Sequence, residues 1–560
     1  MEQFGPCKNS TRVLDAGKSL WDCKELAYTL VIMLIAAACF LPALGSFGML
    51  DPTDSFFLEA AREMIEQHHY ITALYNYTDW LDKPILAFLP VILACKLFGL
   101  NIWAARLPAA LSGIALVLAT YTFTIPLLGR RAAVFSALIL CSSPLFLLTG
   151  HIALSDELLS MLFGVAMLYA GTSLSTPKQK INIIAYVFLA LAILTKGPIP
   201  LILAFCAIVF YLLVTCSSSS VAIKKLWQLR PVLGAISLLV LCLPYFYLAH
   251  ASTGGAFTAQ FFMRQNLGRM LGTVNHQEPI WFYLPITFAG YFPWIFYALM
   301  GFAWLKRLLT RRCRLTQRQG FIIFCFCWLS CVLLLFTFIP TKLPTYILPL
   351  SPALAILVGT YLDMLIRLAK DCPNRWLSSP TSIIIFSIPP ALICAGSLLA
   401  WWLLPKLLAV KMSWSGLLGL AGTLMLVPCW LFWRKKFTQA VWSLVITSVC
   451  ICSILLPCSF LYFYQIQQIG INKLVAIAKN KDASLATLFS GIPSAVFSMQ
   501  KPVPEIKSLS DLEQFCHRGK TPHLLLATKN CLNIPQLQAK QHIIASDNKW
   551  YLLNVDGYPW

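Results

Sequence analysis

Apolar windows of about 20 residues recur along most of the chain, and short polar or charged segments separate them. Each window could cross a hydrocarbon core of roughly 30 Å as a single α-helix. The pattern changes at about residue 466, where short β-like runs such as HLLLATK and KWYLLNV alternate with helical stretches. It therefore predicts an all-α polytopic membrane domain at 26–465 and a small α/β domain at 466–560.

The basic residues between the windows predict how the chain is threaded through the membrane. Cytoplasmic loops are enriched in Lys and Arg, and the segment 306–319 (KRLLTRRCRLTQRQ) carries the strongest cluster. With the basic segment 1–25 also in the cytoplasm, the alternation predicts 13 transmembrane helices and a periplasmic C-terminal domain. The short run 84–99 then lies on the outer membrane face, among juxtamembrane helices at 51–103. The predicted spans are 26–49, 104–128, 132–150, 156–174, 181–195, 198–215, 231–249, 281–304, 321–340, 345–366, 381–404, 414–433 and 439–463.

Composition supports a membrane protein and argues against other classes. The 560 residues are 58% hydrophobic and 12% charged, whereas soluble proteins carry about 25% charged residues. The net charge of +21 is concentrated in short loops, so membrane orientation explains it and we expect no nucleic-acid partner. The first apolar run is followed by no convincing small-residue cleavage site, which indicates a retained first helix.

The 20 cysteines do not predict a zinc site, because no pair or cluster has zinc-ligand spacing. Most of them lie inside apolar runs, where cysteine acts as a small hydrophobic residue. Cys516 and Cys531 are the only two cysteines of the C-terminal domain. An oxidising periplasm favours a disulfide between them, and the alternative is two buried thiols.

Polar side chains gather at the predicted outer ends of the spans. Ionisable residues that face one compartment indicate one site at the membrane surface. For Asp54 and Asp156 the alternative is helix capping, and for Lys83 and Lys196 it is anchoring at the interface. The candidates are Asp51, Asp54, Asp82, Lys83, His151, Asp156, Lys196, Arg264, Arg269, His276, Lys342 and Tyr346.

These candidates combine carboxylates with an excess of cations. A desolvated carboxylate can take a proton as a general base, and Lys and Arg bind phosphate oxygens. The combination suits a substrate with a phosphate head group and a lipid tail, because the tail can stay in the bilayer while the head reaches the site.

Several motifs in one order resemble a known family. The order DPTD…FFLEAAREM, LDKP, LFG…WAARLPAAL, GRRAA, ALSD, LTKGP, HQEPIWFYLP and KLPTYILPLSPALA is similar to that of the ArnT-like (PMT-related) integral-membrane glycosyltransferases. The resemblance covers residues 26 to about 366. It implies the GT-C fold, with 13 membrane helices, juxtamembrane helices on the outer face and a small periplasmic domain.

The resemblance also implies roles for the carboxylates. The family's acid pair before its first juxtamembrane helix falls on Thr53 and Asp54, so the first acid is absent in this register. Asp54 is therefore the first candidate for the acceptor base, and Asp51, two residues upstream, is the second. Asp156 matches the family's second acidic position and would support the base.

The cations are expected on the donor phosphate. Lys83 falls in the segment that corresponds to the family's Glu-Lys-Pro motif, and Lys342 and Tyr346 match the phosphate-side residues of its KLPTY turn. Arg264 and Arg269 lie in an outer loop, against the general charge trend, and either could bind the same phosphate. Further candidates for the site are Asp82, His151, Lys196 and His276.

The resemblance implies transfer, with inversion, of a sugar from undecaprenyl phosphate to an acceptor on the periplasmic face of the bacterial inner membrane. Lipid A or another glycolipid is the expected acceptor, and a protein hydroxyl is the alternative. A transporter or flippase for a lipid-linked sugar is a rival of another class. Some family members bind a divalent metal, for which only His276 is a candidate ligand here.

Overall fold

The computed structural model describes residues 23–272, 277–309, 315–371, 422–517, 522–528, 542–547 and 549–556, with several positions between 388 and 399. Within these ranges the chain forms a helical membrane domain followed by a small domain built on a β-sheet. The predicted fold class is confirmed at this level.

Helices make up most of the membrane domain. In chain order they are α1 (Cys23–Phe40), α2 (Thr53–Glu66), α3 (Leu89–Phe98), α4 (Ile102–Leu128), α5 (Arg130–Cys141), α6 (Pro144–Thr149), α7 (Ser155–Ser175), α8 (Ile184–Lys196), α9 (Ile199–Thr215), α10 (Ser219–Gln228), α11 (Pro231–Ser252), α12 (Ala256–Thr258), a π-helix (Ala259–Gly268), α13 (Arg269–Leu271), α14 (Tyr283–Gly290), α15 (Trp294–Leu309), α16 (Gln317–Phe338), α17 (Ser351–Asp371), α18 (Leu426–Trp433) and α19 (Phe437–Gln467). Three 3₁₀ segments lie at Ile85–Ala87, Ile280–Phe282 and Pro344–Leu350, and a hairpin of β1 (Ala73–Tyr75) and β2 (Thr78–Trp80) follows α2.

Seven of the described helices are long and apolar enough to cross a membrane, and a bent pair makes an eighth if it is one span. That pair, Ile280–Gly290 with Trp294–Phe302, turns by 114°. Four further apolar helices are shorter, and most of the predicted span 381–404 lies outside the described residues. The total of 13 spans therefore stays a prediction.

One apolar run departs from its prediction, and another forms the short helix that was expected. The run 132–150 was expected to be one helix, but it forms α5 and α6, which begin and end around Ser142 and Ser143. Pro144 starts α6, where its missing N–H is not needed. The run 84–99 contains a helix, Ile85–Phe98, whose 14 residues at 1.5 Å per residue reach about 21 Å, short of a hydrocarbon core.

Helices α5 and α17 pack closely at the centre of the bundle. Gly359 of α17 permits this approach, because a Cβ there would lie 2.6 Å from Ser136 Oγ and 2.7 Å from the Ser136 nitrogen of α5. Small residues at helix interfaces let backbones approach in membranes.

The C-terminal domain contains a five-stranded mixed sheet in the order β4-β3-β5-β7-β6. Its elements are α20 (Ile469–Asn480), β3 (Ser484–Leu488), α21 (Pro493–Met499), β4 (Glu505–Ile506), α22 (Leu509–His517), β5 (His523–Thr528), β6 (His542–Asp547) and β7 (Trp550–Asn554). Strands β4, β3 and β5 are parallel, and β7 pairs antiparallel with β5 and β6. Cys531 lies outside the described residues, so the predicted disulfide with Cys516 stays a prediction.

The C-terminal domain is docked on the juxtamembrane segment. Asn76, in the turn of the β1–β2 hairpin, exchanges two hydrogen bonds with the backbone of Val503: its Nδ2 donates to the carbonyl at 3.1 Å and its Oδ1 accepts from the N–H at 2.9 Å. Helix α21 packs on α2. The loop that precedes α21 thereby reaches the same region as the predicted site residues.

Candidate active site

A cavity of about 660 Å³ lies where the segment 51–103, the ends of several membrane helices and the C-terminal domain meet. Its apolar wall comes from α7, α9 and α16, through Leu159, Phe163, Ile202, Leu203 and Phe336. Its charged and hydroxyl groups include six of the residues predicted from the sequence, namely Asp82, Lys83, Asp156, Lys196, Arg269 and Tyr346. The cavity therefore has a cationic part next to an apolar part.

The LTKGP motif places Lys196 at the cavity because a glycine turns the chain there. Lys196 is the last residue of α8, and Gly197 has φ +87°, a conformation that favours glycine. A Cβ at Gly197 would also lie 2.6 Å from Phe261 Cζ. After this turn, Pro198 precedes α9, so Lys196 is fixed between two helices.

Four of the cavity residues form a chain of contacts. Lys196 makes an ion pair with Asp156, and its Nζ lies 4.5 Å from the centroid of the Tyr346 ring. The Tyr346 hydroxyl accepts a hydrogen bond of 2.6 Å from Arg269 Nη1. The charge of Asp156 is thus balanced by Lys196, whereas within the described ranges the hydrogen bond of Arg269 goes to a neutral group.

Lys83 faces the cavity, and no described carboxylate forms an ion pair with its amine. Its Nζ lies 3.4 Å from Ser155 Oγ and 4.7 Å from the centroid of the Phe57 ring. Burial lowers the pKa of Lys83 to about 8; Asp156 opposes this shift, and Lys196 and Arg269 add to it. An anion in the cavity would stabilise the protonated amine, so Lys83 is suited to bind a phosphate.

Three buried polar atoms on the cavity residues have no hydrogen-bond partner among the residues that the structure describes. They are Arg269 Nε, Gln265 Oε1 and Thr341 Oγ1. Buried polar groups are nearly always hydrogen-bonded in native proteins. These donors and acceptors are available to a polar ligand in the cavity.

Asp54, the first candidate for the base, is not on the cavity wall. Its carboxylate is fully buried and forms an ion pair with Arg106, with Nε at 3.2 Å. It also accepts hydrogen bonds from the backbone N–H groups of Ala153 at 2.6 Å and Leu50 at 3.3 Å. Arg106 was not singled out in the sequence. Asp54 therefore links α2 to α4 through its ion pair with Arg106. It does not cap α2, because no side-chain cap hydrogen bond is formed there.

Asp51, the second candidate, joins the membrane domain to the C-terminal domain. Its carboxylate accepts hydrogen bonds from Ser55 Oγ, Gln468 Nε2 and Ser494 Oγ, and from the Ser494 backbone N–H at 3.0 Å. Thr53, at the position of the family's missing acid, does line the cavity. Gly491 and Pro493 of the C-terminal domain line it too.

The remaining candidates lie elsewhere. Lys342 Nζ donates to the backbone carbonyls of Glu278 at 3.0 Å and Pro340 at 3.4 Å, and burial lowers its pKa. Arg264 is exposed on the π-helix and is not part of the cavity wall. His151 is fully buried, with Nδ1 2.8 Å from the Leu147 carbonyl. His276 lies outside the described residues.

The cavity residues do not fit a divalent cation well. Among the described residues, no group of three or more His, Cys, Asp or Glu side chains could hold a metal ion. The carboxylates of the wall are Asp82 and Asp156, and Asp156 is already paired with Lys196. Calcium and magnesium need about six oxygen ligands, more than these two carboxylates provide.

A solved structure has the same fold as this chain, and a family model matches part of its sequence. The family model of dolichyl-phosphate-mannose-protein mannosyltransferase matches residues 82–248. The crystal structure of ArnT from Cupriavidus metallidurans bound to undecaprenyl phosphate superposes with a TM-score of 0.75 at 21% identity, covering 94% of this chain and 98% of that chain. The protein has the fold of ArnT.

Curated relatives agree with this ArnT-like character. An undecaprenyl phosphate-alpha-4-amino-4-deoxy-L-arabinose arabinosyl transferase of Enterobacter sp. (strain 638) is 26% identical over 391 residues, 68% of this chain and 66% of that protein. An uncharacterized protein of Aquifex aeolicus is 26% identical over 339 residues, 60% of this chain and 64% of that protein. The chain thus spans slightly less than two thirds of the length of these relatives.

Proposed function

We propose that the protein is a membrane glycosyltransferase. It transfers a sugar from an undecaprenyl phosphate donor to lipid A or another glycolipid, on the periplasmic face of the bacterial inner membrane. The observation that carries this proposal is the cavity itself, in which Lys83, Lys196 and Arg269 stand beside an apolar wall of membrane helices. That arrangement matches a phosphate joined to a long polyprenyl chain.

In the proposed reaction, Lys83 and Arg269 bind the donor phosphate, and the Tyr346 hydroxyl positions Arg269. The bond between the sugar and the phosphate breaks with its electron pair moving to the phosphate oxygen. Cations fixed at that oxygen are aimed at charge that develops in the transition state, which is an effective form of catalysis. The free Nε of Arg269 supplies one such donor.

The printed names of the relatives support the donor class. The Enterobacter relative is named for an undecaprenyl phosphate-linked aminoarabinose, and the ArnT crystal structure contains undecaprenyl phosphate. The matching family model is named for a protein mannosyltransferase, which keeps protein O-glycosylation as the second candidate function. The two candidates share the donor phosphate site and differ in the acceptor.

The decisive experiment uses purified protein in lipid nanodiscs with an undecaprenyl phosphate-linked sugar and lipid A. Mass spectrometry should detect undecaprenyl phosphate and an acceptor that has gained the sugar. Lys83→Ala should abolish both products, whereas Lys96→Ala, which changes an exposed lysine outside the cavity, should retain them. A lipid-linked sugar that crosses vesicle membranes intact, with no release of undecaprenyl phosphate, would support a transporter and contradict the proposal.

A further inference from the structure

The cavity lacks a carboxylate where the sequence register of the family would place one. Thr53 occupies that position and lines the cavity, and its hydroxyl is not a general base at neutral pH. The two nearest acids of the same segment, Asp51 and Asp54, are held behind the wall by several hydrogen bonds each. Moving either carboxylate into the cavity would leave buried donors unpaired.

Two carboxylates do line the cavity, and they differ in their partners. Asp156 makes an ion pair with Lys196. Asp82 accepts a single hydrogen bond, of 2.9 Å, from the side-chain amide of Gln260, and within the described part of the chain it forms no ion pair. Asp82 is only partly buried. It therefore has free acceptor positions on an oxygen that an incoming substrate can reach.

We infer that Asp82 is a catalytic residue that binds an acceptor hydroxyl and takes its proton, in place of an acid on helix α2. This inference rests on the proposed glycosyl transfer and adds the acceptor side to it. Asp82 and Lys83 both line the cavity, so a hydroxyl bonded to Asp82 shares that cavity with a donor whose phosphate is bound by Lys83. Gln260 is a positioning residue, because its amide fixes one oxygen of Asp82.

The acceptor O–H bond breaks and its proton moves to an oxygen of Asp82, while the acceptor oxygen forms a bond to the anomeric carbon. The carbon–oxygen bond to the phosphate breaks, and its electron pair leaves with undecaprenyl phosphate. An ionised phosphate group has no proton to give and would be repelled by Asp82, so the inferred acceptor atom is a hydroxyl oxygen.

The test compares three variants in nanodiscs. They are Asp82→Asn, Asp82→Glu, and the double variant that carries both Asp82→Asn and Thr53→Asp. The control Asp79→Asn changes a half-exposed carboxylate three residues upstream that is not on the cavity wall. Two quantities are measured for each variant: the affinity for undecaprenyl phosphate, and the transfer rate between pH 5 and 9 with acceptors that carry either hydroxyl or phosphate groups.

We expect Asp82→Asn to lower the transfer rate by about 10²–10⁴-fold, the usual contribution of a general base, with undecaprenyl phosphate affinity changed by less than a few fold. Asp82→Glu should keep part of the transfer rate. Adding Thr53→Asp to Asp82→Asn should restore part of the lost rate, because it supplies an acid from another position on the cavity wall.

Three results would overturn the inference. Transfer by Asp82→Asn within a few fold of the unmodified protein would show that the carboxylate is not the base. Loss of undecaprenyl phosphate affinity in Asp82→Asn would show a structural role. Efficient transfer to a phosphate acceptor, with none to a hydroxyl acceptor, would refute the inference that the acceptor atom is a hydroxyl oxygen. If the unmodified protein neither binds undecaprenyl phosphate nor transfers a sugar, the proposed function itself fails.

Discussion

The buried ion pair of Asp54 and Arg106 predicts a stability effect where sequence reasoning expected a catalytic one. Both side chains are fully buried. Breaking such a pair by removing one partner is destabilising by about 3–5 kcal/mol, because the other charge remains uncompensated. Asp54→Asn should fall near the lower limit, since Arg106 also donates to the backbone carbonyls of Leu44, Phe47 and Gly48, which continue to solvate the guanidinium.

A double-mutant cycle measures the effect. Asp54→Asn, Arg106→Met and the double variant are compared by thermal denaturation in detergent. Each single change should lower the denaturation midpoint strongly, and the double change should lower it by less than their sum, because residues in contact are coupled. Glu25→Gln is the control: it removes the partner of Arg130 in a pair with side chains 27% and 41% exposed, where at most about 1 kcal/mol is expected.

One combination of stability and activity results would refute a purely structural role for Asp54. If Asp54→Asn keeps the normal denaturation midpoint and still loses transfer activity, Asp54 takes part in the chemistry despite its burial. The assignment of the base to Asp82 would then fall as well. An additive double variant would show that the two charges do not stabilise one another.

Three further predictions concern other parts of the molecule. Affinity for undecaprenyl phosphate should fall as the pH rises from 7 to 9, because the pKa of Lys83 is lowered to about 8 and the neutral amine does not attract phosphate; native mass spectrometry of Lys83→Arg should show no such fall. Gly197→Ala should lower the denaturation midpoint because of its φ of +87°, while Gly45→Ala, whose added Cβ would meet its nearest atom at 3.4 Å, should not. Non-reducing peptide mapping should find Cys516 bonded to Cys531, which would stabilise the domain by roughly 3 kcal/mol in the chain-entropy model; alkylation of both thiols without reduction would contradict it.

The architecture was predictable because hydrophobic length is a strong constraint on membrane helices. The long apolar runs predicted α4, α7, α11, α16 and α19 at nearly their observed positions. The break between α5 and α6 was missed although Pro144 stands at the start of α6. Proline is frequent in membrane helices, so its presence alone does not indicate whether a run is continuous.

The site was predictable in part, for a different reason. Lys83, Lys196 and Tyr346 could be found because they stand at helix ends that share one membrane face, and helix ends are visible in the sequence. Asp54 could not be judged that way, since its partner Arg106 is 52 positions away and meets it only after α2 and α4 pack together. Gln265 and Thr341 carry buried atoms at the cavity that have no partner among the described residues, but neutral polar side chains give no sequence signal of their own.

The charges of the cavity are consistent with a proton acceptor inside it. Lys83, Lys196 and Arg269 face Asp82 and Asp156, which leaves one excess positive charge. A donor in which phosphate links a sugar to a lipid carries one negative charge, so the filled cavity is neutral. After transfer, the released phosphate monoester carries a charge of about −2 at neutral pH. If Asp82 holds the acceptor proton at that moment, the cavity gains one positive charge and remains neutral with its product.

Charge that develops on the leaving phosphate is then matched within the cavity, which favours the transition state over the bound donor. Asp82→Asn, which makes the cavity more positive from the outset, should therefore bind undecaprenyl phosphate at least as tightly as the unmodified protein while transferring sugar far more slowly.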